Sequence, residues 1–193
     1  MAAKLRTQVP VLVAVAGLFV TPFCCLAEER TPSADDAVRV TAKKDGQTIM
    51  VDAVFKVTAT QRQAWDVLTD FDHMPNFVPN LESSKVVSRS GNVLQVAQKG
   101  RETYGLLSFS FDNLREVELA PYTQIKSHLI SGSMQKSDGT THLSENGGTT
   151  QVTYHGVFIP NVNVPGLLGI PAIESATRRQ FEELRHEIER RPK

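Results

Sequence analysis

Residues 65–80 read WDVLTDFDHMPNFVPN, and this stretch sets how the rest of the chain is organised. Trp65, Leu68 and Phe71 recur at helical spacing, so the first half predicts an amphipathic helix. Pro75 and Pro79 interrupt any long continuation, because proline lacks the backbone N–H that a helix interior needs. The stretch therefore predicts a short helix followed by a tight helical corner that closes one end of the fold.

The same stretch carries Asp70, Asp72 and His73, three side chains that could bind a metal ion. They lie on a single loop, and no second cluster in the sequence completes a coordination shell. Aspartate often accepts backbone N–H bonds at helix starts and turns. We therefore predict no metal site and interpret Asp70 or Asp72 as a side-chain cap of the following helical turn.

Strand patterns surround the helical stretch on both sides. Residues 47–58 alternate between apolar and polar side chains, which indicates a strand with one buried face, and Thr60 is placed to cap the helix that follows. After Leu81, short alternating runs recur at hairpin spacing with turn residues between them. The runs are residues 85–88, 93–101, 107–119, 123–130, 135–144 and 149–159.

The chain ends in a helical pattern over residues 172–191, with Ile173, Thr177, Phe181, Leu184 and Ile188 on one stripe. A long amphipathic helix buries such a stripe against a sheet. The predicted fold class is α+β, with a curved antiparallel sheet of about seven strands around a long C-terminal helix and two short helices after the first strand. Such an arrangement leaves a cavity where the helix only partly fills the curve, and cavities of this kind are mostly apolar.

The N-terminus predicts a signal peptide. Lys4 and Arg6 form a basic region, residues 9–23 are apolar, and Cys25-Leu26-Ala27 precedes two glutamates as a cleavage site of small residues. We expect residues 1–27 to be removed, residues 28–45 to form a flexible leader, and residues 46–193 to fold. The protein would then be exported, to the periplasm or the medium, or to a lumen in a eukaryotic cell or plastid.

The N-terminus has two other interpretations, an uncleaved membrane anchor and a lipoprotein. An uncleaved anchor is disfavoured because Pro22 breaks the apolar run, which is shorter than the ~20 residues of a spanning helix. Cys24 and Cys25 invite a lipoprotein, but residues 21–23 lack the usual lipidation pattern. Both cysteines leave with the signal peptide, so the mature chain has no disulfide and no thiol chemistry.

Composition excludes some function classes. The 193 residues carry a formal net charge of +0, and 40% are hydrophobic, as in one ordinary globular domain. No basic stripe appears outside the last helix, so we predict no nucleic-acid binding. No cofactor is predicted, and the sequence does not set an oligomeric state.

Residues 64–81, AWDVLTDFDHMPNFVPNL, carry a family resemblance that extends over about residues 47–191. The chain resembles the START-like, polyketide cyclase (SRPBCC) superfamily, nearest its coenzyme Q-binding type, in which the motif runs W-x-x-L-x-D-F-x-x-x-P-x-F-x-P-x-L. Supporting pieces are the turn at residues 147–149 and the segment after Pro171. The resemblance implies the helix-grip fold and an internal pocket for lipids, quinones or polyketides. It transfers no catalytic residue, because no branch-specific motif is found.

Apolar and aromatic residues facing the predicted cavity are the candidate ligand-binding set. Met adapts to variable apolar ligands, and the Tyr154 hydroxyl would need a partner that a ligand carbonyl could supply. Gly156 among large neighbours leaves space for a ligand. The set is Trp65, Phe71, Met74, Phe77, Tyr104, Phe109, Phe111, Tyr154, Phe158, Leu167, Leu168, Ile173 and Phe181. For Trp65 and Phe71, packing in the core is the competing interpretation.

Residues 162–173 are unusually apolar for a loop, and Pro165, Gly166, Gly169 and Pro171 argue against a regular helix there. We interpret the segment as a lid over the cavity, with transient membrane contact as a further possibility. A loop packed on the last helix is the alternative.

Three functions follow. The first is an exported, non-enzymatic protein that binds or transfers a hydrophobic small molecule. The second is a cyclase or hydratase-type enzyme in which Tyr154, Arg101 or a histidine polarises a carbonyl. The third is a protein-interaction module that uses residues 162–173. His128, His142 and His155 alternate with buried positions, so we expect them to face solvent.

Overall fold

The protein, seen in a computed structural model, is described at residues 37–104, 107–161, 164 and 166–191. Eight strands and two α-helices make up this part of the chain. The strands are β1 Arg39–Asp45, β2 Thr48–Val57, β3 Leu81–Ser90, β4 Val93–Tyr104, β5 Leu107–Ala120, β6 Gln124–Gly132, β7 Met134–Asn146 and β8 Thr149–Pro160. The helices are α1 Gln61–Leu68 and α2 Gly166–Arg190, and a 3-10 helix spans Phe71–Asn76.

The strands form one curved antiparallel sheet in the order β1-β2-β8-β7-β6-β5-β4-β3. Six strands from β3 to β8 follow one another as the predicted meander, and β2 returns beside β8. This arrangement confirms the predicted α+β helix-grip class, with eight strands where about seven were expected.

The added strand is β1, which lies within the predicted flexible leader. Residues 39–45 pair with β2 along their whole length, so the leader prediction is wrong for this part. Val40 is buried, and Ala42 packs partly against the core. The segment looked disordered in sequence because its alternate positions are charged or small, as suits an edge strand with one wet face. The predicted signal peptide and the rest of the leader lie outside the described residues.

The alternation in β2 appears as predicted. Ile49, Val51, Phe55 and Val57 are each at most 2% exposed and form the centre of the core. Thr60 then starts α1 with a reciprocal cap, in which its hydroxyl accepts from the Gln63 N–H and the Gln63 side chain accepts from the Thr60 N–H. The capping prediction for Thr60 is therefore confirmed.

The predicted aspartate cap at the corner is wrong. Asp70 precedes the 3-10 helix but makes no capping hydrogen bond with its side chain. Its carboxylate instead contacts His73 and Arg191, and the Asp72 carboxylate accepts the Val86 N–H of β3 at 2.9 Å. Both aspartates thus tie the corner to other elements, and only tertiary structure could bring those partners near.

Helix α2 begins six residues earlier than predicted and continues through Pro171. Ile170 and Ile173 pack against the core, so burial of the apolar side outweighs the poor helix propensity of this segment. The expectation that its prolines and glycines forbid a helix is wrong from Gly166 onward. Among the described residues, we find no helix with the length and apolar character needed to span a membrane.

Helix α2 lies over the part of the sheet that contains β1 and β2. Its backbone approaches β1, β2 and α1, and the Glu174 carboxylate accepts the Ala42 N–H on the outer edge of β1 at 2.7 Å. Toward its end, Phe181, Leu184 and Ile188 are buried in the core, which confirms the predicted stripe. The inner face of β4 to β7 is consequently left with space above it.

Candidate functional site

A partly open cavity of about 350 Å³ lies between α2, the 3-10 corner and the inner face of the sheet. This size falls within the ~300–1,000 Å³ that is usual for small-molecule sites. The apolar part of the lining comes from the corner, the inner strand faces and α2. It includes Val51, Leu68, Phe71, Met74, Val96, Phe111, Val117, Ile125, Phe158, Ile173, Ala176, Phe181 and Leu184.

The structure brings seven of the thirteen predicted site residues together around this cavity. They are Phe71, Met74, Phe111, Tyr154, Phe158, Ile173 and Phe181. The backbones of Tyr104, Phe109, Leu167 and Leu168 belong to β4, β5 and α2, but their side chains lie outside the described part of the chain. The predicted lid or membrane-contact role of residues 162–173 thus stays a prediction.

Trp65 and Phe77 lie elsewhere. Trp65 is 8% exposed, and its ring centroid is 5.8 Å from that of Tyr122 at the β5–β6 turn, so it is a core residue. Phe77 packs under the guanidinium of Arg191, whose Cζ lies 5.5 Å from the ring centroid. These two residues anchor α1 and α2 rather than line the cavity.

The most informative lining residue is Arg115, which the sequence analysis did not single out. Its Nη2 donates to the Ser127 hydroxyl at 2.5 Å, and its Nε is buried without a hydrogen-bond partner. Within the described residues, no carboxylate lies at ion-pair distance from it. Arg115 as a whole is half-buried, but a buried N–H donor without an acceptor is costly, so a ligand acceptor is its natural complement.

A sequence signal for Arg115 was present. Along β5, residues 111, 113, 115, 117 and 119 share one face, and four of them are Phe, Asn, Val and Leu. An arginine within such a row faces the interior once the strand is in place. The alternation does not predict which residue contacts that arginine.

Tyr154 faces the same part of the cavity from β8. Burial raises the pKa of its phenol, and the positive charge of Arg115 acts in the opposite direction more weakly. Its hydroxyl makes no hydrogen bond to any described residue, whereas its ring packs on Phe181 with centroids 5.3 Å apart.

The space predicted beside Gly156 is occupied by Tyr154 itself. A Cβ atom on Gly156 would overlap the Tyr154 hydroxyl and would lie 2.7 Å from its Cζ. Ligand approach at Gly156 is therefore excluded in this arrangement. The glycine accommodates the tyrosine, and the ligand space lies beyond the phenol.

Polar side chains continue from Arg115 across the inner face of the sheet. Gln98 on β4 donates to the Ser84 hydroxyl on β3 at 3.2 Å, and it stands opposite Asn113 on β5. Asn113 is buried and accepts the Ser133 N–H at 3.0 Å. The cavity therefore has a polar band across an apolar chamber, with its only unpaired charge among the described residues at Arg115.

The predicted exposure of the histidines is confirmed. His128 pairs with Asp138 and His155 with Asp52 on the outer face of the sheet, while His142 lies near Gln124. A more open cleft there, across β1, β2, β8 and β7, includes His142 and His155. No group of three metal-binding side chains occurs among the described residues.

Arg101 is not the polar end of the cavity. Its side chain is 60% exposed and lies 3.8 Å from the Glu82 carboxylate. Of the groups proposed to polarise a carbonyl, only Tyr154 reaches the cavity, and Arg115 takes the place expected for Arg101. The arrangement can offer an N–H donor from Arg115 and an O–H donor from Tyr154 to a ligand in the cavity.

Comparison with solved structures shows the same fold in proteins of low sequence identity. A STAR-related lipid transfer protein from Xanthomonas axonopodis superposes with a TM-score of 0.67 at 11% identity, covering 82% of this chain and 96% of that one. The Zhui aromatase/cyclase from Streptomyces sp. R1128 gives 0.63 at 14%, covering 75% and 95%. A START superfamily protein from Mycobacterium smegmatis gives 0.58 at 20%, covering 72% and 94%.

Sequence comparison identifies the family. No curated protein matches the chain. The profile of the family described as polyketide cyclase / dehydrase and lipid transport matches residues 57–185, which is well over half of the chain and includes α1, the corner, Arg115 and most of α2. The chain therefore belongs to the polyketide cyclase / dehydrase and lipid transport family.

Proposed function

We propose that the protein binds, and hands on, an amphiphilic small molecule with an apolar body and a terminal oxygen that accepts hydrogen bonds. The observation that carries this proposal is the pair of unused donors in the cavity, Nε of Arg115 and the hydroxyl of Tyr154. A protein that held only hydrocarbon would gain nothing from an arginine whose Nε is buried in the cavity without an acceptor. A carboxylate, or a polarised carbonyl of a quinone or polyketide, would satisfy both donors.

The apolar lining supplies the rest of the affinity. Phe71, Met74 and Phe111 on one side and Phe158 and Phe181 on the other present hydrocarbon and aromatic surface. Each Å² of apolar ligand surface removed from water contributes about 25 cal/mol before the costs of association. Burial of the apolar body therefore provides most of the binding free energy, and Arg115 orients the ligand.

The first experiment asks what the protein carries. Protein purified without detergent is extracted with organic solvent, and the extract is analysed by mass spectrometry. We expect a lipid, a quinone or a related amphiphile in wild-type extracts, and a reduced amount in Arg115→Met. If extracts are empty and added amphiphiles do not bind, the proposal fails.

The second experiment measures the role of the charge with defined probes. Dodecanoic acid and 1-dodecanol share an apolar chain and differ in the terminal group, so calorimetric titration with both isolates the Arg115 contribution. We expect Arg115→Met to weaken dodecanoate binding by about tenfold or more, as for loss of a charged hydrogen bond. Arg101→Met is the matched control, because the Arg101 side chain is exposed and is not part of the cavity lining.

A cyclase or dehydratase-type enzyme is the second candidate. Arg115 could stabilise the enolate oxygen that forms when water removes the proton next to a ligand carbonyl, and Tyr154 could protonate the hydroxyl group that then leaves as water. Comparing the compounds extracted from wild type and Arg115→Met tests this. A compound that differs between them by water or by ring closure favours catalysis, and an identical compound favours binding and transfer.

We also propose that the chain is exported. Lys4, Arg6, the apolar residues 9–23 and the small residues before Glu28 support cleavage after Ala27. The mass of the protein recovered from the producing cell, with its N-terminal peptide, tests this. A mature chain that begins at Glu28 is expected, and retention of Met1 to Ala27 would contradict it.

A further inference from the structure

Gly139 on β7 and Gly156 on β8 stand directly opposite each other in the sheet. Both belong to the inner face, two residues from Tyr154 and its cross-strand neighbour Thr141. Glycine in the interior of a strand weakens it, and two paired glycines in adjacent central strands need a reason. The reason lies in what occupies the space above them.

The ring of Tyr154 lies along the sheet in the trough that the two glycines leave. A Cβ on Gly156 would overlap the Tyr154 hydroxyl, and a Cβ on Gly139 would lie 3.2 Å from that oxygen and 3.1 Å from Cε2. The same point above Gly139 is 3.1 Å from the hydroxyl of Ser127, which accepts from Arg115. The trough therefore directs the phenol toward the Ser127 and Arg115 pair.

The opposite side of the ring is also fixed. Phe181 of α2 packs on Tyr154 at 5.3 Å between centroids, so the ring is held between the trough and the helix. Without the glycines, the hydroxyl would have to move out of the trough and away from Ser127. Backbone shape, rather than a hydrogen bond, sets where this donor points.

We propose that Gly139 and Gly156 are positioning residues that aim the Tyr154 hydroxyl at the same ligand oxygen as Arg115. The site consequently favours ligands that end in a carboxylate over those that end in an alcohol, because a charged oxygen accepts hydrogen bonds from both donors more strongly. This inference rests on the proposed binding function and adds the device that sets its selectivity. It predicts that Gly156→Ala acts through Tyr154 alone.

The test is a double-mutant cycle with Gly156→Ala and Tyr154→Phe, using dodecanoic acid and 1-dodecanol as probes. Each single variant is expected to reduce the preference for dodecanoate by about tenfold, the value for one hydrogen bond to a charged group. The double variant is expected to lose no more than either single one. Additive losses would overturn the inference, since they would mean that the glycine acts elsewhere.

A measurement without ligand tests the positioning role of the glycines separately from the proposed binding function. Ultraviolet titration of the tyrosines, with Tyr154→Phe subtracted, follows the ionisation of Tyr154. We expect Gly156→Ala to move the pKa of Tyr154 back toward its usual value, because the displaced phenol leaves its buried position. An unchanged titration would overturn the positioning role, whereas failure of both probes to bind wild type would count against the proposed function only.

Gly156→Ala could also impair folding directly. Making the same substitution in the Tyr154→Val variant controls for this effect. In Tyr154→Val the trough is empty, so adding Gly156→Ala should be tolerated and the double variant should melt at or above the temperature of Tyr154→Val. If it melts lower, the glycine is required by the strand itself and the inference is wrong. Gly139→Ala, with its milder contacts, is expected to show the same effects at smaller size.

Discussion

Nη2 of Arg191, directly after α2, lies 2.8 Å from Oδ2 of Asp70 in the corner after α1. The same guanidinium donates through Nε to the buried Glu187, also at 2.8 Å, and packs on the ring of Phe77. His73 contacts the other oxygen of Asp70 at 2.6 Å. The acid that the sequence offered as a metal ligand or a cap instead joins the corner to the end of α2.

The Asp70–Arg191 pair should stabilise the domain measurably. Asp70→Asn keeps the shape of the side chain but removes its charge, so Arg191 loses one of its two carboxylate partners. We expect the free energy of unfolding to fall by roughly 1–3 kcal/mol, as for hydrogen bonds to charged groups. Chemical denaturation measures it. Asp66→Asn is the control, because the Asp66–Arg62 pair is exposed, and its effect should stay within about 0.5 kcal/mol.

The same cluster predicts acid sensitivity. Partial burial alone would raise the pKa of Asp70 and of Glu187, but hydrogen bonds and charge from His73 and Arg191, and from Arg191 and Arg190, lower both. A lowered pKa means that the stabilisation is complete above the pKa of the unfolded chain and is lost as the pH falls through the folded value. Stability should therefore decline from about pH 4.5 downward. Asp70→Asn should flatten that decline, and an unchanged slope would contradict the assignment.

We expect Arg115 to lower the free energy of unfolding while it contributes to ligand binding. Its Nε is buried without an acceptor, so replacing the charge with an apolar side chain of similar length removes a desolvation cost. We expect Arg115→Met to leave the melting temperature unchanged or to raise the free energy of unfolding by up to about 2 kcal/mol. Calorimetry on the ligand-free protein checks this. A large destabilisation would mean that Arg115 holds the fold and would weaken the binding proposal.

The cavity should accept added volume where the core cannot. Ala176 on α2 lines the cavity, and Ala64 on α1 is fully buried away from it. We expect Ala176→Leu to change stability by less than about 1 kcal/mol while weakening dodecanoate binding, and Ala64→Leu to cost about 1–3 kcal/mol through overpacking. Thermal melts of both variants provide the comparison. Equal losses would argue against an open cavity beside Ala176.

Much of the fold could be predicted because local sequence patterns indicate its strands, turns and helices. The alternation in residues 47–58, the cap at Thr60, the hairpin spacing and the stripe on the last helix each depend on near neighbours in the chain. The prediction failed at β1 and at the start of α2. Residues 39–45 form a strand because β2 lies beside them, and residues 166–171 form a helix because Ile170 and Ile173 find a core.

The sequence by itself determined that this chain is an antiparallel sheet around a terminal helix with an apolar interior, because periodicity and turn chemistry are local properties. Tertiary structure alone decided the chemistry inside. Arg115, Ser127 and Tyr154 come from three different strands, and which of their donors lacks a partner depends on contacts between residues far apart in the chain. The same holds for Asp70, whose role depends on Arg191, a residue 121 positions away in the chain that lies beside it in the fold.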